Sequence, residues 1–256
     1  MSTNNPNPAS PSWLVNEPWS DVDLGPLKSG KEAQIDLIKR TGTDGTSCLL
    51  AVKRYVPRKV SAKGELEALG FERASAFRHD VQYREGRQFR KSRDRRAIER
   101  MSAHGKRLLQ DRWMGHEYDT MRRLWSAGGP VPYPVSFTDD RFVMEYLGDV
   151  DGAAMQLAGA GLDHQALQSA AHQLIDGLHL LTRNGIAHGD LSPYNLLWWK
   201  DRLWFIDFPQ AIDIAANPQG LNLLHRDVAN VCTWFVRRGC RLDQEEVFAD
   251  LVASSL

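Results

Sequence analysis

Three side chains in the second half of the sequence have the types and spacing to manage a phosphoryl group. Asp190 and Asn195 close the run His188-Gly189-Asp190-Leu191-Ser192-Pro193-Tyr194-Asn195, and Asp207 follows after two short apolar runs. An amide oxygen and a carboxylate are hard donors of the kind Mg2+ accepts beside water and substrate phosphates. A second carboxylate kept apart from the metal can take the proton of an attacking hydroxyl. Asn195 and Asp207 are therefore the candidate metal ligands and Asp190 the candidate catalytic base. Either Asp190 or Asn195 alone reads first as a turn cap. The set, flanked by strands and preceded by a terminated helix, points to chemistry.

The elements that must position them can be read from periodicity. Leu196 to Trp199 and Leu203 to Ile206, separated by Lys200-Asp201-Arg202, form a tight hairpin if paired, which returns Asp207 to the neighbourhood of Asn195. Lys200-Asp201 is not the favoured Asn-Gly turn, so the register stays open. Upstream, Ala166, Ala170, Leu174, Leu178 and Leu181 mark an amphipathic helix that ends at Asn184-Gly185. Near the start, Gln34 to Arg40 and Ser47 to Tyr55 are β-prone runs joined through Asp44-Gly45, a hairpin carrying Lys53 near its end; Leu24 to Ala33 before it reads as turn-rich. From Lys63 to Trp125 the pattern is helical but interrupted. Trp113, Glu117, Met121 and Leu124 share one face there, which favours an inward partner for Glu117. That helix stops at Ala127-Gly128-Gly129-Pro130, Val131 to Pro134 is an extended connector, and Arg141 to Tyr146 is a strand leading to a hinge at Gly148. A final helical region runs from about Leu221 to the end.

The His188 to Asn195 run, followed by Asp207-Phe208-Pro209, resembles the catalytic and metal-binding loops of the protein-kinase-like superfamily, whose pattern is His-Arg-Asp, four residues, Asn, then Asp-Phe-Gly. Gly189 stands in place of the arginine that reads activation-loop phosphorylation, and Pro209 in place of the mobile glycine, so an activation-loop switch is not expected. These departures resemble the RIO atypical serine/threonine protein kinases, first subfamily. The likeness runs from about Lys28 to about Phe235. It includes Ser29-Gly30-Lys31-Glu32-Ala33, Ala51-Val52-Lys53, Gly129-x-x-Pro132-x-Pro134, Met144-Glu145-Tyr146, Ile206 to Gln210 and Arg226-Asp227-Val228-x-Asn230.

The resemblance implies an α+β, two-lobed protein-kinase-like fold, with a β-rich N-lobe over residues 19–147 and a mainly helical C-lobe over 148–256; residues 1–18, rich in Asn, Pro and Ser, read as a disordered tail. It implies an ATP- and Mg2+-dependent serine/threonine kinase or ATPase, with Mn2+ an alternative metal. Ser29 and Gly30 would line the phosphate-covering loop, and Lys53 would pair with the phosphates and with Glu117. Glu145 and Tyr146 would offer backbone groups to adenine. Asp190 would be the base, and Asn195 and Asp207 would hold Mg2+. Asp207 is also the candidate aspartyl-phosphate. Two other readings compete: a small-molecule phosphotransferase like those acting on aminoglycosides or choline, and an ATP-gated module binding a ribosomal precursor or RNA.

Composition sets the outer limits. With 32 basic and 32 acidic residues and 42% hydrophobic content, the chain reads as a folded protein without a charge that calls for nucleic acid or membrane. The basic stretch Arg84 to Arg107 reads first as a solvated face, and second as a docking surface for RNA or an acidic partner. Three cysteines without metal or disulfide spacing fit a reducing cytoplasm. The expected partners are ATP and a protein substrate, the chain itself included, with no membrane.

Overall fold

The computed structural model describes residues 10–15, 18–29, 33–55, 103–138 and 141–254. Its first half is built on one antiparallel sheet in the order β1 (Trp19–Ser29), β2 (Ala33–Gly42), β3 (Ser47–Tyr55), β5 (Arg141–Glu145) and β4 (Pro134–Thr138). Strands β2 (Ala33–Gly42) and β3 (Ser47–Tyr55) form the expected hairpin, with Ile35 opposite Lys53 and Ile38 opposite Leu50. Alternation then divides their side chains. Ile38, Leu50 and Val52 are buried with Val143 on one face, and Lys53 leaves on the other.

Leu24 to Ser29 of the stretch expected as turn-rich are instead strand: β1 covers Trp19–Ser29 and pairs with β2. Gly25 and Pro26, which suggest a turn, sit where the register shifts between Asp23 and Gly25 and between Pro26 and Lys28. An edge strand tolerates Pro and bulges because its outer backbone groups need no partner strand. Asp21 holds β1 in place through two bonds from Arg40, at 2.8 and 2.9 Å, while the Arg40 guanidinium lies over Trp19.

Residues 10–15, within the segment expected as a tail, are packed. Val15 is buried, Leu14 lies against the Ile38 cluster and Trp13 meets Tyr133 edge-on at 6.2 Å. The Asn, Pro and Ser richness that suggests disorder gives way at Trp13-Leu14-Val15 to three apolar side chains, of which Val15 is buried, Leu14 half-buried and Trp13 exposed.

Helix α1 (Ala103–Ser126) ends at Ala127-Gly128 as expected, with Gly129 N–H reaching back to Leu124 O at 2.8 Å. The connector then enters a strand the sequence did not suggest, β4 (Pro134–Thr138), which pairs with β5 (Arg141–Glu145). Pro134 hides it, yet a strand can begin on proline.

The second half is mainly helical. The two-residue β6 (Met155–Gln156) leads into α2 (His164–Arg183), capped by Asp163, which accepts from Ala166 N–H. Its buried stripe of Leu167, Leu174, Leu178 and Leu181 contributes roughly 1.5–3 kcal/mol per leucine. Short β7 (Ile186–Ala187) opens the His188 loop. The hairpin β8 (Leu196–Trp199) and β9 (Arg202–Phe205) then packs on α2, where Gly177 leaves the room that the Phe205 ring occupies. After β10 (Ile212–Asp213), which pairs with β7, come α3 (Gly220–Val236) and α4 (Gln244–Ala253). Met121 and Leu124 of α1, and Phe142 of β5, join the main helical core, so the two halves share one apolar interior. Among the described residues no helix is long and apolar enough to cross a membrane.

Candidate active site

The hairpin that carries the candidate metal ligands closes tightly. Lys200 and Asp201 both adopt left-handed φ angles, 50° and 57°, the geometry of a two-residue turn that matches strand twist. Arg202 is therefore the first residue of β9 rather than part of the turn. Leu196 pairs with Phe205, and Ile206 N–H donates to Asn195 O at 3.0 Å, so Asn195 and Asp207 emerge side by side at the open end. Asp207 itself has φ 69°, a conformation non-glycine residues rarely hold without surrounding support.

That support comes from the other lobe. Lys53 Nζ lies 2.7 and 2.9 Å from the Glu117 carboxylate oxygens and 2.7 Å from Asp207 Oδ1. Glu117 Oε1 also accepts Phe208 N–H at 3.2 Å. The Lys53 and Glu117 side chains are only 6% and 1% exposed, whereas Asp207 is 46% exposed, so the network runs from the interior to the cleft. Burial would push the Asp207 carboxyl up, but the charge and hydrogen bond of Lys53 outweigh it and hold the group below its usual range.

The His188 to Asn195 loop is fixed from beneath. Asp227, on α3 and 1% exposed, accepts Gly189 N–H at 2.7 Å and Leu191 N–H at 2.9 Å. Arg226 donates to Gly189 O, and Asn230 Nδ2 to Leu191 O at 3.2 Å. Two backbone donors therefore present Asp190 from a rigid base. Burial raises the Asp227 carboxyl, against the pull of His188, these two N–H groups and Arg226. His188 is buried, packs tilted against the Phe208 ring with centroids 4.7 Å apart, and its Nε2 meets Ile206 O at 3.0 Å; it acts as a structural member of the loop. Gly189 has φ 80°, and a side chain there would collide with the Gln210 carbonyl. The glycine is thus required by both backbone angle and space.

The donor chemistry at the hairpin mouth fits a hard cation. Asn195 Nδ2 donates to Asp190 O at 2.8 Å, which leaves the amide oxygen as the acceptor end, next to a carboxylate kept ionised by Lys53. Ser29 ends β1 and is exposed, while Gly30 and most of the Arg84 to Arg107 stretch lie outside the described residues, as does the Trp113 side chain. Glu145 ends β5 with its N–H given to Tyr133 O at 2.8 Å, and its Oε2 accepts Tyr133 N–H at 3.0 Å. Tyr146 follows, largely buried, at the turn toward Gly148.

Asp227 is the functional residue whose role the sequence did not disclose, although its motif was visible. The available signal was an acid on the apolar stripe of a helix, among Leu223, Leu224, Val228 and Val231. His116 and Gln210, which also touch the loops, carried no such signal.

A five-stranded sheet and helix facing a helical lobe, with a lysine, a helical glutamate and a loop aspartate joined across the cleft, define a protein-kinase-like fold. More particularly, the chain belongs to the RIO domain family, whose model matches residues 73–247. The RIO-type serine/threonine-protein kinase Rio1 of Thermoplasma acidophilum is 34% identical over 135 residues, covering 53% of this chain and 69% of the relative. The Rio1 kinase of Haloferax volcanii is 31% identical over 235 residues, covering 92% and 70%. The fold is shared with the Rio2 kinase from Chaetomium thermophilum, solved as an ADP/Mg2+-phosphoaspartate complex. The TM-score is 0.55 at 17% identity, and the match covers 89% of this chain and 61% of that one.

Proposed function

We propose that this protein is a RIO-type phosphotransferase that uses ATP with Mg2+, with Asp190 as base and Asn195 and Asp207 as metal ligands. The observation that carries the reading is the Lys53–Glu117–Asp207 network, which puts a phosphate-binding cation and a metal-binding carboxylate within one hydrogen bond of each other. On this reading residues 19–147 form the nucleotide-binding lobe and 148–256 the catalytic lobe. Ser29 and Gly30 cover the phosphates, and backbone groups at Glu145 and Tyr146 meet adenine, the carbonyl being Glu145's contribution because its N–H is committed to Tyr133.

Asp190 accepts the proton of a serine or threonine hydroxyl as its oxygen bonds to the γ-phosphorus; the bond to the β–γ bridging oxygen breaks and ADP leaves. Lys53 orients the phosphates and Glu117 holds Lys53. Bound Mg2+ would neutralise the charge gathering on the phosphate oxygens. With water as acceptor the same site would hydrolyse ATP directly to ADP and phosphate; with Asp207 as acceptor, its carboxylate oxygen would bond to the γ-phosphorus as ADP leaves, and water would then cleave the acyl phosphate to release inorganic phosphate. The solved Rio2 complex contains a phosphoaspartate, which supports keeping Asp207 as that acceptor.

The protein substrate, the chain itself included, and a ribosomal RNA contact through Arg84 to Arg107 belong to the same proposal. So does a cytoplasmic setting, in keeping with three free cysteines. Incubation with γ-labelled ATP and Mg2+ tests the core. Label that survives acid marks phosphoserine or phosphothreonine, and base-labile, hydroxylamine-sensitive label marks an aspartate. Asp190→Ala should abolish transfer to a hydroxyl while retaining ATP binding; unchanged transfer would remove Asp190 from the role.

A further inference from the structure

The stretch after Asp207 closes on itself. Ala211 N–H donates to Phe208 O at 3.0 Å, forming a four-residue turn with Pro209 and Gln210 at its centre, and proline suits the first central position. Two neighbouring residues of α1 grip this turn at its ends. Glu117 Oε1 accepts the Phe208 N–H at 3.2 Å, and His116 Nε2 lies 2.6 Å from Ala211 O, a short hydrogen bond in which the ring nitrogen must be the donor. The turn is also wedged from the opposite side. Phe208 is fully buried against His188, and the Gln210 carbonyl fills the space over Gly189.

The consequence falls on Asp190. Gln210 Nε2 lies 3.5 Å from Asp190 Oδ2, at the long limit of a hydrogen bond. Its side chain can reach that oxygen only while the turn stays seated on the loop, so the distance depends on what pins Ala211. A small outward shift of Ala211 would break an already long contact, whereas the Asp227 anchors under Gly189 and Leu191 would be unaffected.

We propose that His116 is a positioning residue which, through the Ala211 carbonyl, seats the Pro209-Gln210 turn so that Gln210 orients the Asp190 carboxylate. In this chain the helix that fixes Lys53 thereby also fixes the candidate base, and the turn is held without a phosphorylated activation loop. The inference rests on the reading of Asp190 as base, but its geometric half stands apart from turnover.

Two measurements on the full chain test it. The first is hydrogen–deuterium exchange of peptides spanning Ile206 to Ile212 and His188 to Leu191 in the absence of nucleotide. His116→Ala should speed exchange in the first segment by at least about tenfold, and His116→Gln, whose amide can donate to Ala211 O, should restore protection. Unchanged exchange in His116→Ala, with its melting temperature kept, overturns the proposal whatever the enzyme does. The second is a double-mutant cycle in ATP-dependent transfer. His116→Ala and Gln210→Ala should each lower kcat about tenfold with the KM for ATP within about twofold, and the double variant should lose no more than either single one. Multiplying losses would show that the two act separately and would overturn it. A wild-type chain that bound ATP without turnover, but still showed the exchange change, would refute the catalytic reading and leave the seating of the turn supported.

Discussion

Lys53 Nζ sits 2.7 Å from Asp207 Oδ1, so the lysine that closes the β-rich lobe ends on the residue proposed to hold the metal. The same ammonium is bound by Glu117, which is 1% exposed and cannot turn to water if its partner is lost. Lys53→Met should therefore damage fold and function together. Removing the ammonium from beside a buried carboxylate costs about 3–5 kcal/mol, softened here because Glu117 keeps the Phe208 N–H. Phosphoryl transfer should fall at least about a hundredfold. Thermal unfolding of Lys53→Met against Lys53→Met/Glu117→Gln separates the two effects: the second change should recover stability but not transfer.

Asp227 offers a comparison in which size is kept and hydrogen-bonding character changes. Its two oxygens accept two backbone N–H groups, from Gly189 and Leu191. In Asp227→Asn one oxygen becomes an NH2 facing another N–H, leaving a buried donor unmet at a cost of about 1–3 kcal/mol. The variant should be less stable than wild type and should lose transfer activity more than Asn230→Ala, which gives up one 3.2 Å bond to Leu191 O. Equal activities in the two variants would mean that the loop does not need its Asp227 floor.

Gly189 makes a sharper case, because the conventional loop has arginine there. At φ 80° a side chain costs about 1–2 kcal/mol in backbone strain alone. The Gln210 carbonyl already fills the position a Cβ would take. Gly189→Arg should therefore abolish transfer rather than recreate a conventional site, and Gly189→Ala should already lose most of it. A Gly189→Arg chain that turned over at the wild-type rate would mean that the turn over Gly189 moves freely.

Local spacing made the closeness of Asn195 and Asp207 readable, since a short hairpin can bring them together by strand pairing alone. The turn of that hairpin was not readable: Lys200 and Asp201 lack glycine, and only the closed ladder holds them at positive φ. Strands β1 and β4 were hidden by Gly25-Pro26 and Pro134, residues that break central strands but are tolerated at bulges and strand starts. The contacts of Asp227, His116 and Gln210 span long sequence separations. Nothing in local periodicity reveals which helix residue will face which loop, so only the folded chain brings these groups together.

Glu145 allows stability to be read against pH. Burial raises its carboxyl above the ordinary 4.5, with the Tyr133 N–H and Arg202 acting the other way without overcoming it. The folded chain therefore keeps a proton that the unfolded chain has already released. This group's contribution is complete below the ordinary value and is lost as pH rises through the folded one. Glu145→Gln keeps an oxygen for the Tyr133 N–H at the same place but has no charge to desolvate. The variant should be more stable than wild type near neutral pH, and the gap should narrow as pH falls through the raised folded value, closing by about 4.5, below which wild-type Glu145 is neutral in both states. Urea midpoints of both chains between about pH 4 and 7 measure this directly. A gap that widens toward acid would show that the Glu145 carboxylate, rather than its neutral form, stabilises the hinge.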